Sequence, residues 1–254
     1  MRRMIIGLAA MSIGFIAMVS QATAKATPAP SQTLISQPTE TLRATEMKLL
    51  KKYRINLAYQ TVFDSQHQVW VIDKTATPAI ATALTKAMAY WNDELGTTVF
   101  NAGSAGKATV TVKWTTQKAA TDSGLAWWSP KTETLKVNKG TYQHELADIT
   151  KYMKRHYRAD ETPTLSKKAA YAQITDSAAQ QARTVEYARI LTHELGHILG
   201  LGHSTTRSDL MYPGLGFGDL YDLDKVSADT IWQTPLTETD GARGQLAYRF
   251  EKLK

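Results

Sequence analysis

Hydrophobic and polar positions follow different rules in successive parts of the 254-residue chain. Residues 4–20, MIIGLAAMSIGFIAMVS, carry no charge. Residues 25–39, KATPAPSQTLISQPT, are rich in Pro, Ser, Thr and Gln with few large apolar side chains, the composition of a linker or disordered leader. TETLRATEMKLLKKYRI (39–55) suits a short helix, too small to be a domain by itself. The core is expected to begin near HQVWVIDK (67–74), where Val69, Trp70, Val71 and Ile72 form the apolar run of a buried strand. After Thr77-Pro78, the residues Ile80, Leu84, Ala87, Met88 and Trp91 recur at helical spacing, and Gly96 ends the pattern. TTVFNAGSAGKATVTVKW predicts strands on either side of a Gly-rich loop. GLAWWSP (124–130) and ETLKVNKG (133–140) predict two more, joined by a short turn. Residues 141–182 are polar and helix-compatible, broken at Thr162-Pro163, and lead into ARILTHELGHILGLGH. The order of strand, long helix, further strands and helices is an α+β pattern.

Composition narrows the chemistry. The chain has no cysteine, which excludes disulfides, thiolate metal sites and a cysteine nucleophile, so a zinc ion would rest on histidine or carboxylate. Arg2 and Arg3, the apolar run and the small-x-small triplet Ala22-Thr23-Ala24 together read as a secretory signal, residues 1–24, cut after Ala24. The other reading of the same run is an uncleaved anchor, since its length nearly spans a bilayer. Removal of the signal takes Arg2 and Arg3 with it and lowers the net charge from +7 to +5. That excess either solubilises the surface or draws it weakly to anionic cell-wall polymers. No second apolar run of membrane length follows, so no stable membrane insertion is expected after cleavage.

Three of the six histidines crowd into residues 193–203, HELGHILGLGH. On a helix, His193 and His197 project from one face a turn apart and can share one zinc ion. Glu194, beside the first of them, can reach a water on that ion without being a ligand, take its proton and pass it to a leaving amine. Ile190, Leu191, Leu195, Ile198 and Leu199 would bury the helix. His203 joins the same metal only if the chain turns back, and Gly200 sits where a left-handed residue would end the helix. A fourth position stays open to water and substrate, which marks a catalytic rather than a structural zinc.

HELGHILGLGH followed by SDLMYP resembles the signature and Met-turn of the metzincin zinc endopeptidases, and Ser204 and Leu-Met-Tyr-Pro resemble the matrixin branch in a bacterial-type secreted form. The resemblance implies an α+β zincin domain with a twisted, mostly parallel sheet, an antiparallel edge strand, an active-site helix and a Met-turn. It implies His193, His197 and His203 as zinc ligands, Glu194 as general base and Met211 as an apolar floor beneath the metal. Gly200, Ser204, Tyr212 and Pro213 complete the surroundings. Leu125–Trp128 resembles the strand that lines the cleft, so Leu125, Ala126, Trp127 and Trp128 are expected to bind substrate, with Phe217 on the opposite wall. AMAYWND resembles the first family helix, and LYDLDKVSADTIW (220–232) the helix that closes the domain. The expected organisation is a signal at 1–24, a linker or short pro-segment at 25–60 and a catalytic domain at 61–254.

The chain also departs from the family. No propeptide cysteine is present, so latency needs another device, such as a carboxylate like Asp64, or there is no zymogen. The family's second zinc site is not recognisable, and the 141–182 insert has no counterpart. Calcium held by Asp122, Glu133 and Asp148 is a further expectation from the family, without a dense Asp/Gly loop to support it. His144-Glu145-Leu146-Ala147-Asp148 imitates a zinc motif but lacks its second histidine. Partners are expected to be protein or peptide substrates met outside the cell by a monomer, with no nucleic acid. Two other classes share the motif: a zinc hydrolase of cell-wall peptide or amide bonds, and a non-catalytic surface-binding protein. The intact Glu194 and ligand set count against the latter.

Overall fold

A five-stranded sheet forms where apolar side chains alternate or run together. In the computed structural model, which describes residues 25–116, 125–139, 179–213 and 236–254 and isolated positions between 147 and 172, the strands are β1 (Val69–Asp73), β2 (Phe100–Ala102), β3 (Val110–Thr115), β4 (Ala126–Ser129) and β5 (Thr134–Asn138). Their order is β2-β1-β3-β5-β4, parallel throughout except for β4, which pairs antiparallel with β5 at the edge. This is the mostly parallel sheet with an antiparallel edge strand expected from the sequence. In β1, however, only Val69 and Val71 are buried, while Trp70 and Ile72 face outward half-covered. The run of four apolar residues is therefore an alternating strand with a partly wet outer face.

Helix α1 (Gln32–Ile35) and helix α2 (Thr39–Tyr53) precede the sheet, α3 (Pro78–Leu95) links β1 to β2, α4 (Ala179–Ile198) carries the histidines, and α5 (Glu238–Glu251) follows. Proline at the first turn and Gly96 at φ 65° after the last bound α3 as expected. Its predicted face, Ile80, Leu84, Ala87, Met88 and Trp91, is buried. The indole of Trp91, fully buried, donates to the Thr192 carbonyl of α4 at 2.8 Å and lies between Gly196 of α4 and Gly244 of α5. Side chains at those two glycines would occupy the indole's space, so α3 approaches both helices closely.

One expectation fails here. Residues 25–39 are not a free leader: they contain α1, and buried Thr27 donates its N–H to Thr206 and shares a hydroxyl contact of 2.9 Å with Thr205. Leu42, Leu49 and Tyr53 of α2 enter the core with Ile55. The polar composition concealed this because only one residue in each turn or so is apolar, which is enough for a helix lying on a surface. Helix α5 packs against α3, and the expected closing helix at 220–232 lies outside the described residues together with Phe217, Asp122, His144 and Asp148.

Candidate metal centre

Helix α4 presents His193 and His197 one turn apart, with ring centroids 4.8 Å from each other. The helix ends where the C′ residue Gly200 adopts φ 96°, and Leu201 N–H reaches back to the Gly196 carbonyl at 2.9 Å. The chain then reverses and brings His203 to 5.5 Å from the first ring and 4.9 Å from the second. One ring nitrogen from each of the three lies within 4.8 Å of the others, and among the described residues this is the group able to hold a metal.

The outer contacts decide which nitrogens are presented. His193 Nδ1 lies 2.7 Å from the Leu210 carbonyl, and His197 Nδ1 lies 2.6 Å from that of Leu201. A carbonyl accepts only, so both Nδ1 atoms donate and each Nε2 keeps a free lone pair. That is the tautomer a zinc ligand needs, held in place before metal arrives. Burial depresses both imidazoles, His193 well below its ordinary value and His197 to about 4, where the neighbouring His203 also contributes. Neutral imidazole is the ligating form, so the environment disfavours the proton that would compete with metal. The donor set, tautomers and spacing fit zinc.

Glu194 is buried, and its Oε2 accepts the Trp128 backbone N–H of β4 at 2.7 Å. Burial raises its pKa to about 8, moderated by that N–H. The edge strand thus touches the acid directly. Ala126 and Leu125 are buried, Trp128 stacks inward with its indole N–H donated to the Tyr59 carbonyl at 3.2 Å, and Trp127 faces outward under the ammonium of Lys136. The four residues expected to bind substrate therefore divide: the outward main chain of β4 faces the site, whereas the side chains of Leu125, Ala126 and Trp128 serve the core.

Met211 is fully buried, and its sulfur would be 2.6 Å from a Cβ at position 196. Gly196 is thus required by the thioether beneath the helix, a role not legible from the motif, where that position is unconstrained. Ser204 is buried: its N–H donates to the Met211 carbonyl at 2.7 Å and its hydroxyl to Asp209 at 2.6 Å, closing the loop between third ligand and Met-turn. Tyr212 and Pro213 are half-buried just beyond. Glu133, expected at a calcium site, occupies a left-handed exposed turn at φ 50° after the 3-10 turn Pro130–Thr132. Among the described residues no group of carboxylates supports a calcium site.

Sequence reasoning also missed the supports behind the turn. Asp240 accepts the Leu210 N–H at 2.6 Å, so Leu210, whose carbonyl accepts the His193 Nδ1–H, links it to His193. Arg243, wholly buried, gives its Nε to the Tyr53 carbonyl at 2.8 Å and its Nη2 to Gly202 at 2.7 Å. Asp240 and Arg243 approach to 3.5 Å without a hydrogen bond. Thr237-Glu238-Thr239-Asp240 does carry a signal: it is a capping sequence, and Thr237 Oγ1 accepts Asp240 N–H at 3.2 Å. Arg243 carried none, because isolated arginines are usually solvated.

The Matrixin peptidase family matches residues 62–233. The chain belongs to that family, and with it to the zinc-dependent metallopeptidases, whose catalytic zinc the histidine triad is placed to hold. No curated protein matches it. Among the described residues no helix is long and apolar enough to cross a membrane.

Proposed function

We propose that the chain is a secreted endopeptidase that hydrolyses peptide bonds of proteins, with Glu194 as general base and His193, His197 and His203 as the zinc ligands. The observation that carries this is the Glu194 carboxyl, buried on the ligand helix and tied to the edge strand by the Trp128 N–H. Zinc held by the three imidazoles supplies a Lewis acid toward water and toward the carbonyl oxygen of the scissile bond. Glu194 takes the proton of the attacking water at a carboxylate oxygen and returns it to the departing amine nitrogen.

The open edge of β4 supports an extended peptide as substrate, since strand addition satisfies main-chain groups with little regard for side chains. Binding there competes with the Glu194–Trp128 bond, so substrate entry frees the carboxylate. Residues 1–24 support export, and the basic balance of the remaining chain suits a weak affinity for anionic wall polymers.

The test is hydrolysis of a quenched-fluorescent peptide library by purified residues 25–254, with Glu194→Ala and a chelator in parallel. Cleavage lost in both arms is the expected result. Cleavage that persists in Glu194→Ala overturns the role of the base, and activity on isolated wall material alone moves the substrate class to cell-wall amide bonds.

A further inference from the structure

The stretch between α2 and β1 would be a removable pro-segment if it lay on the cleft. It lies instead behind the ligand turn and is built into it. Ile55 pairs with Leu201 as an antiparallel bridge. Asn56 N–H donates to the Gly200 carbonyl and Gly202 N–H to the Arg54 carbonyl, both at 2.7 Å. Leu201, whose carbonyl takes the His197 Nδ1 proton, is thus held from its other side. The buried Gln60 amide donates to the Leu199 carbonyl at 2.7 Å, capping the end of α4, and to Ala247 of α5 at 3.0 Å. Tyr59 sets its ring edge-on to His197 at 6.0 Å and its carbonyl against Trp128. Arg243 then ties the carbonyls of Tyr53 and Arg54 to that of Gly202, next to His203.

Two glycines record the closeness of this packing. A Cβ at Gly202 would lie 3.0 Å from the Arg54 carbonyl oxygen, and one at Gly200 would lie 3.1 Å from the Gln60 amide. Apart from the Arg243–Gly202 and His197–Leu201 bonds, each of these contacts involves a residue preceding 62, where the family match begins.

We propose that Tyr53–Gln60 is a permanent clamp on the metal-ligand turn, with Gln60 and Arg243 as positioning residues, and that it stays with the working enzyme and is not shed on activation. Its activity arm rests on the endopeptidase reading; its metal arm does not. Ligand orientation is set by such outer contacts, and losing one typically weakens metal binding about 10–100-fold.

The experiment has two arms. Intact mass is measured on whatever fraction of the purified chain cleaves peptide. Zinc release to a chromophoric chelator is timed for the unaltered chain, Gln60→Met and Ile80→Ala, the last removing fully buried volume on α3 outside the clamp contacts. The clamp predicts that every active fraction contains residues 53–60, and that Gln60→Met releases zinc about tenfold faster or more. Ile80→Ala should stay within about twofold of the unaltered chain, since sites that share no partner are close to energetically independent. An active fraction lacking any of residues 53–60 overturns the proposal, as does release from Gln60→Met no faster than from Ile80→Ala. Should Gln60→Met fail to fold, Gly202→Ala presses a methyl on the Arg54 carbonyl, opens the clamp at its other end and is read identically. If no fraction cleaves peptide, the endopeptidase reading fails while the release rates still decide the clamp.

Discussion

The first two histidines and the third reach the same centre by opposite means. His193 and His197 are placed by the pitch of one helix, and nothing outside α4 is needed to bring their rings within 4.8 Å. His203 stands on a reversed, exposed turn held by Arg54–Asn56 on one side, α5 on another and the Met211 loop on a third. Local geometry is robust to changes elsewhere in the chain, whereas a turn is only as well placed as its most remote contact. The two halves of the ligand set should therefore fail differently.

The largest effects lie on the helix. His197→Ala is expected to lose zinc and turnover together, read by metal analysis and peptide hydrolysis. Glu194→Ala should keep zinc and lose about 10²–10⁴-fold in turnover, the usual worth of a general base. A variant that lost zinc with Glu194 would make the carboxylate structural.

The turn is broken next from behind. Arg243→Met leaves Asp240 buried without its cation, and removing one partner of such a pair costs about 3–5 kcal/mol, seen as a lower melting temperature. Burial already raises the Asp240 pKa above its ordinary 3.8, with Asp209 adding to the shift and Thr237, Arg243 and the Leu210 N–H opposing it. The folded state then holds that proton at pH values where the unfolded state has lost it, so stability falls as pH rises from 3.8 toward the elevated value. Loss of Arg243 widens this window. Its melting deficit should narrow on acidification, and a deficit that grew in acid would contradict the arrangement.

A smaller effect separates floor from wall. Gly196→Ala pushes a methyl against the Met211 sulfur and the Trp91 ring. Overpacking of this kind costs about 1–3 kcal/mol, and hydrolysis should fall further than stability alone explains, because the helix moves with both its ligands. The smallest effect is at Asp64. Burial works against its charge, but the N–H groups of Gln68 and Gln66, the Trp70 indole and Lys107 hold it below its ordinary value. That stabilisation is present at neutral pH and lost as pH falls through the depressed value. Asp64→Asn should thus melt slightly earlier at neutral pH, match the unaltered chain in acid and hydrolyse peptide at an undiminished rate. A gain in its activity would revive Asp64 as the device of latency.

Periodicity and motif spacing were sufficient for a great deal. The apolar face of α3, the strands around the Gly-rich loop and the stop at Gly200 are local events, dictated by side-chain periods and by backbone freedom within a few residues. The histidine triad able to hold a metal, with Glu194 beside it, was legible because such a centre demands fixed offsets along the chain. Residues 25–60 read as a linker or short pro-segment, since 25–39 is polar and the helix at 39–55 looks too small to be a domain, yet their backbone supplies the antiparallel bridge that positions the turn. Gly196 and Gly202 could not be singled out, since what excludes a side chain at each is an atom from another segment: the Met211 sulfur and the Arg54 carbonyl. Gln60, Asp240 and Arg243 look like surface residues in one dimension and become buried supports in three. The sequence alone determined the identity and spacing of the groups in the candidate metal centre. The tertiary structure decided what holds them, because a hydrogen bond to a main-chain carbonyl leaves no pattern in the residue that accepts it.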